Sequence, residues 1–305
     1  MNLTEFQPKY WGTWLLVPIL WLLRLCSLSM IYKLGTTLGH ILFIVMPARR
    51  NIALTNLKLC FPEYSHEKVE KIAKQSFQNI ARIILSSGIN WWSNEKHLRK
   101  LVRVKDSSFF DQALASERNL IILAPHFVAL EIGGIYLSLN SPITSIYQRS
   151  RNPIFNRLTV HGRSRFGLTL IERQSSTRNV IRETQNGVPL YYLPDQDPGL
   201  QWDPKKAVFA PFFGVEAATW TTLTRLAKIT NAIVLPCATK ILSNGTGFEI
   251  TFAPPLKDFP SGDQVLDAIH MNSVIEAFIR QMPDQYFWVH KRFKTQPTDG
   301  PDYYD

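Results

Sequence analysis

In the run APHFVALEIGG, a histidine, His126, is followed five residues later by Glu131. An imidazole with a carboxylate partner makes a good general base, because the carboxylate fixes the tautomer and stabilises the imidazolium formed on proton uptake. A spacing of five turns two residues to different faces of a regular helix, so the pair meets only if His126 lies on the turn before the helix that carries Glu131. No nucleophile motif accompanies it: there is no GxSxG, and none of Cys26, Cys60 and Cys237 neighbours a histidine. The expected chemistry is direct activation of a substrate hydroxyl rather than a covalent intermediate. The other six histidines have no carboxylate five residues later, and no HExxH pattern suggests zinc. The same two residues also admit a bland reading, a histidine satisfied by a loop carbonyl and a glutamate on a solvated face, and the spacing alone does not choose.

The elements that must position such a base follow from hydrophobic runs. Asn119 to Ala124 (NLIILA) reads as a buried strand ended by Pro125, and Val188–Leu193, Val208–Phe213, Ile233–Cys237 and Phe248–Phe252 are similar. Between them lie candidate helices at Val128–Leu139, Asn152–Arg165, Ser176–Gln185, Ala217–Thr230 and Val265–Gln281. Upstream, Ser65 reads as the cap of an amphipathic helix with Val69, Ile72, Ala73, Phe77, Ile80 and Ile84 on one face. Alternating strands and helices predict an α/β fold with a mixed, largely parallel central sheet flanked by helices. In such sheets ligands bind beyond the carboxyl ends of the strands, which is where His126 falls.

Composition narrows the partners. The 305 residues contain 34 Lys and Arg against 24 Asp and Glu, a formal charge of +10, so acidic partners are expected: nucleic acid, phosphorylated lipid, anionic membrane or an acidic protein. No nucleic-acid-binding signature is found, and the apolar N-terminus has no place in that reading. The three scattered cysteines imply a reduced compartment without disulfides. From Tyr10 to Pro47 nearly every residue is apolar or aromatic, but Arg24 and Lys33 interrupt the run. The unbroken block falls short of the roughly 20 residues a spanning helix needs, so a helix lying in or dipping into the membrane interface is expected, its basic flank on the cytoplasmic side. Without a basic n-region before it or a small-residue cleavage site close behind, the segment is expected to be retained. The division expected is a membrane-attachment segment over 1–47 and one catalytic domain over 48–305.

Several segments together carry a resemblance. They are RRNIALTNLKLCFPE from Arg49, the HxxxxE at His126, YQRSRNPIFNRL from Tyr147, HGRSRFG from His161, YLPDQDPG from Tyr192, VFAPFFGVEAAT from Val208 and QYFWVHKRFKTQP from Gln285. In this order, over nearly the whole chain, the sequence resembles the late acyltransferases of lipid A biosynthesis, the lauroyl/myristoyl transferases of Gram-negative bacteria. The resemblance implies an inner-membrane enzyme at the cytoplasmic face. It implies an acyl-carrier-protein thioester as donor and an anionic phosphorylated glycolipid as acceptor, with no cofactor beyond that co-substrate. It places His126 and Glu131 at the family's dyad positions, Arg163 at the position that stabilises charge at the reacting centre, and Asp195 at the acidic residue of a later block, where it would orient that arginine. Arg149 and Arg151 are expected among the groups that grip the acceptor's phosphates. Phe213, Gly214 and Thr219 are expected near the site, on an apolar strand running through glycine into a helix, with core packing the larger role of the aromatics. Asp195 and Asp197 are read as a structural turn rather than a metal site. The alternatives are an acyltransferase for another membrane lipid, or a catalytically silent lipid-binding member.

Overall fold

A computed structural model describes residues 3–175, 177–199, 202–298 and 300–304. The N-terminal apolar run divides at Arg24 into α1 (Trp11–Leu23) and α2 (Leu28–Val45), and Ser27 caps the second by accepting from Met30 N–H. Next come α3 (Pro47–Cys60) and the long α4 (His66–Trp92), capped as expected by Ser65, whose hydroxyl accepts from Lys68 N–H. Helix α4 is the spine against which the N-terminal helices lie. Ile31, Gly35, Gly39 and Phe43 recur every four residues on α2 and form its buried stripe. The glycines are there for closeness: a Cβ on Gly39 would stand 2.3 Å from Gln78 Cα, and one on Gly35 would stand 2.5 Å from Arg82 Cγ. Helix α1 crosses the other end of α4 where Gly88 meets the backbone of Leu20. The buried Arg82 guanidinium locks the seam, donating to Thr36 Oγ1 at 2.8 Å and Asn79 Oδ1 at 2.5 Å and lying 3.5 Å from the centre of the Tyr32 ring. By length and composition α2 is apolar enough to cross a membrane, and its other faces are uncovered.

After α5 (Glu95–Leu101) the sheet begins with β1 (Val102–Lys105), α6 (Ser107–Ala115) and β2 (Asn119–Leu123). It continues through α7 (Leu130–Ser138), β3 (Ile143–Tyr147), α8 (Pro153–Ser164), β4 (Leu168–Glu172), α9 (Thr177–Gln185) and β5 (Leu190–Tyr192). A hairpin of β6 (Ala207–Phe212) and β7 (Val215–Trp220) leads to α10 (Thr222–Thr230), β8 (Ala232–Ile241), β9 (Phe248–Phe252) and α11 (Gln264–Gln281). The seven-stranded order is β1-β9-β8-β2-β5-β3-β4, parallel except for the β8/β9 pair. The mixed, largely parallel sheet was thus legible in the sequence. The runs at β2, β5, β8 and β9 form its middle, whereas β3 (ITSIY) and β4 (LTLIE), diluted by hydroxyls, show no comparable run. From β2 the chain winds first to the β5-β3-β4 side and later to the β8-β9 side, a topological switch at β2.

Val208–Phe213 does not join this sheet. It is β6, paired antiparallel with β7 alone, so the helix expected from Ala217 starts at Thr222. Beyond α11, residues 285–293 brace the carboxyl end of β2. Val128 N–H donates to Gln285 O at 2.9 Å and Phe287 N–H to His126 O at 3.0 Å. Asn56 of α3 holds the same segment through Trp288 O and His290 O, both at 2.7 Å. His290 Nε2 accepts from Asp197 N–H at 3.1 Å, which requires the neutral ring. Burial, then the charges of His126 and Arg292, pull its pKa down to about 4.

Two outcomes follow from this packing. Gly39→Leu forces α2 off α4 and is expected to cost at least about 2 kcal/mol in denaturant unfolding, whereas Gly12→Leu, which meets no atom within 4 Å, is expected to change little. His290 is neutral in the folded protein down to about pH 4, while an unfolded histidine takes up a proton below roughly pH 6.5. Stability from this group is therefore full above about pH 6.5, is lost as pH falls toward 4, and amounts to on the order of 3 kcal/mol. Unfolding midpoints at several pH values should show that slope in the wild type and lose it in His290→Gln.

Candidate active site

The central sheet decides which carboxylate meets His126. Strands β2 and β5 are parallel neighbours in register Leu123↔Tyr192, and Ala124 N–H continues the ladder to Tyr192 O at 2.9 Å. Pro125 then ends the strand, and α7 does not begin until Leu130, so His126 lies on the turn before the helix, as expected. His126 and Asp195 each stand three residues beyond that register pair and meet at the carboxyl edge of the sheet. Asp195, 1% exposed, accepts from His126 N–H at 2.8 Å, from His126 Nδ1–H at 2.7 Å and from the Tyr286 hydroxyl at 2.8 Å.

Burial alone would raise the Asp195 pKa, but the His126 ring and backbone and the Tyr286 hydroxyl together outweigh it and hold the carboxyl below its ordinary value. An ionised carboxylate only accepts, so Nδ1 carries the proton and Nε2 is left as the basic edge. Burial, reinforced by the Asp195 charge, pushes the Tyr286 pKa well up, so the phenol stays a donor. The ring remains reachable, with the His126 side chain 23% exposed.

Glu131 lies elsewhere. In the first turn of α7, its Oε1 accepts from Trp91 Nε1–H at 2.7 Å, and its Oε2 accepts from Arg163 Nε–H at 2.8 Å and from Arg163 Nη2–H. The expected pairs are therefore exchanged: His126 is paired with Asp195, and Arg163 with Glu131. The first exchange follows from β5 lying beside β2; the second follows from α7 packing against α4 and α8. Trp91 approaches so closely because position 162 is glycine, where a Cβ would stand 2.3 Å from the indole Cδ1.

His126 lines a cavity of about 700 Å³ between the carboxyl ends of β3, β4 and β5 and helices α9 and α10. Ile146, Ile171, Val180, Leu193 and Leu226 give it an apolar wall, and Glu172, Arg173, Asp203 and Lys206 are among its polar groups. Among the described residues, its walls include neither Glu131 nor Arg163. A second cavity, of about 680 Å³, shares Tyr147 with the first and is lined by Arg149, Arg157 and His161. Arg151 is exposed on the loop into α8.

Phe213, Gly214 and Thr219 do not line the His126 cavity. The glycine turns the chain into a second strand rather than a helix: Phe213 and Gly214, at φ 53° and 78°, are the two-residue turn between β6 and β7. The Phe213 N–H donates to Glu276 Oε1 at 2.7 Å, and its ring packs on Phe61 and under Arg280. Thr219 is buried and accepts from Arg292 Nη2–H at 3.1 Å. Asp197 is a turn residue: Oδ1 accepts from Gly199 N–H and the Thr295 hydroxyl, and Oδ2 from Thr295 N–H. Two partners escaped sequence reasoning. Tyr286 sits in the QYFWVHKRF segment, which carried resemblance but no assigned chemistry, and nothing local marks Trp91.

Comparison with known proteins identifies the family. The family profile described as bacterial lipid A biosynthesis acyltransferase matches residues 4–295. The chain is 31% identical over 309 residues to the lipid A biosynthesis lauroyltransferase of Escherichia coli strain K12, covering 99% of both chains. It is 30% identical over 292 residues to the palmitoleoyltransferase of the same organism, covering 95% of this chain and 94% of the relative. It is also 32% identical over 300 residues to a lipid A biosynthesis acyltransferase of Haemophilus influenzae, covering 98% and 92%. A match across almost the whole length of the chain, whose sheet holds a histidine–carboxylate pair at its carboxyl edge, places it in the bacterial lipid A biosynthesis acyltransferase family.

Proposed function

We propose that the protein transfers a fatty acyl chain from an acyl-carrier-protein thioester to a hydroxyl of an acylated lipid A precursor, with His126 as general base. The observation that carries this reading is the Asp195–His126 contact at the edge of a cavity with an apolar wall. Nε2 takes the hydroxyl proton as the oxygen attacks the thioester carbon. Collapse of the tetrahedral intermediate breaks the C–S bond, and the imidazolium returns its proton to the departing thiolate. Asp195 holds the tautomer and balances the imidazolium charge. Glu131 acts by holding Arg163 of α8 and by tying the first turn of α7, the helix that follows His126, to Trp91. The cavity beside His126, at about 700 Å³, is of a size to enclose an acyl chain.

Membrane attachment at the cytoplasmic face belongs to the same reading. Trp11, Leu15, Ile19 and Leu22 of α1 and Ile41, Ile44 and Val45 of α2 expose large apolar side chains of a kind that water does not favour. Because α2 also covers α4, its removal would uncover the core, so surface charges are the cleaner probe.

Acyl transfer by detergent-extracted protein, followed by mass, tests the reaction: a gain of one acyl chain on the precursor is expected. His126→Ala and Asp195→Asn are each expected to lower kcat on the order of 10³-fold, and the double variant to be no slower than either single one, as befits a unit. Full activity in Asp195→Asn would remove it from the mechanism. Leu15→Asp combined with Ile19→Asp and Ile44→Asp is expected to move protein from the membrane pellet to the supernatant; an unchanged distribution would refute attachment through this surface.

A further inference from the structure

The loop from β3 into α8 and the first turns of α8 enclose the second cavity, whose walls carry Arg149, Arg157 and His161. The N-terminal segment inserts Glu5 into this basic cleft. The Glu5 side chain is only 9% exposed and is ion-paired through Oε1 with Arg157 Nη2. Its other oxygen, Oε2, is buried with no partner among the described residues. Buried polar atoms are nearly always satisfied, so a carboxylate that is half matched is a poor fit to the place it occupies. Its segment is held to α1 by indole bonds, Trp14 Nε1–H donating to Glu5 O at 2.9 Å and Trp11 Nε1–H to Phe6 O at 3.1 Å, and α1 is tied to the α8 cap by Asn152 Nδ2–H donating to Thr13 Oγ1 at 2.6 Å.

We propose that this cleft binds a phosphate monoester of the acceptor lipid, and that Glu5 stands in for that phosphate in the free enzyme. The inference rests on the reading of the protein as a lipid acyltransferase and names where its acceptor is gripped. A phosphate monoester carries nearly two negative charges near neutral pH and three strong acceptor oxygens, so it can engage Arg149 and Arg157 together where one carboxylate oxygen engages Arg157 alone. The amino end of α8, whose first N–H groups are those of Ile154 and Phe155 capped by Asn152, adds positive potential on the same side. Tyr147 walls both cavities, so an acceptor with its phosphate in the cleft lies one side chain away from the cavity of His126. Phosphate entry displaces Glu5 and frees the Leu3–Phe6 turn from α8, which couples acceptor binding to the segment next to α1.

The test compares a phosphorylated acceptor with the same lipid after phosphatase treatment, using full-length protein in detergent. Arg157→Gln is expected to raise KM for the phosphorylated acceptor by about tenfold or more and to leave KM for the dephosphorylated one unchanged. Glu5→Gln removes the competing charge and is expected to lower KM for the phosphorylated acceptor severalfold. Equal KM values for the two acceptors, or a rise in KM in Glu5→Gln matching that in Arg157→Gln, would overturn the proposal, the latter by making the pair a structural tie. Binding of inorganic phosphate, read by 31P line broadening, needs no turnover: it is expected to weaken in Arg157→Gln and to strengthen in Glu5→Gln. Phosphate binding that follows this order without transfer to either lipid would sink the acyltransferase reading and keep the anion site. Transfer without phosphate discrimination would keep the reaction and sink the site.

Discussion

Everything at the reacting edge depends on one buried carboxylate. Removing Asp195 from water is costly unless both its oxygens find donors, and the fold brings three to them from two distant parts of the chain. Two come from His126, whose backbone N–H and Nδ1–H converge on the two oxygens, and the third is the Tyr286 hydroxyl. The strand register, the turn at Pro125 and the 285–293 brace all meet at that point. The same contacts that satisfy the charge also point the imidazole, so stability of the sheet edge and orientation of the ring are a single property.

A different constraint governs the N-terminal third. Helices α1 and α2 must lie close against α4 on one side while offering apolar side chains to the outside on the other. The close side is built from absences: Gly35, Gly39 and Gly88 let backbones meet where any side chain would collide. A polar device sits inside the seam, since Arg82 is buried and spends its donors on Tyr32, Thr36 and Asn79. Burial lowers its pKa from the ordinary arginine value, and the hydrogen bonds and the Tyr32 face are what make the position tolerable. The outer surface and the central sheet are thereby coupled through one long helix, which also delivers Trp91 to Glu131.

On the proposed reading, the two cavities divide the chemistry of an amphipathic substrate between them. Around His126 apolar side chains such as Ile146, Ile171, Val180 and Leu226 share the wall with charged ones such as Glu172, Arg173, Asp203 and Lys206. Across Tyr147 the lining is basic. That division uses the chain's positive charge locally, where a general excess of Lys and Arg would only favour anionic surfaces.

Features governed by near neighbours were readable from the sequence. The Ser65 cap, the apolar runs of β2, β8 and β9, the sheet class, and the position of His126 on the turn before α7 all follow from a few adjacent residues and the periods of strand and helix. Tertiary structure alone decided which carboxylate pairs with His126 and which with Arg163. His126 and Glu131 are five residues apart yet face different neighbours, whereas His126 and Asp195 are brought together because β5 slots beside β2. The same reason explains the hairpin: Gly214 can lead into a helix or a strand, and only the pairing of β6 with β7 selects the turn. Strand order is set by how whole elements bury their faces, a sum over the entire core, and no local spacing carries that information.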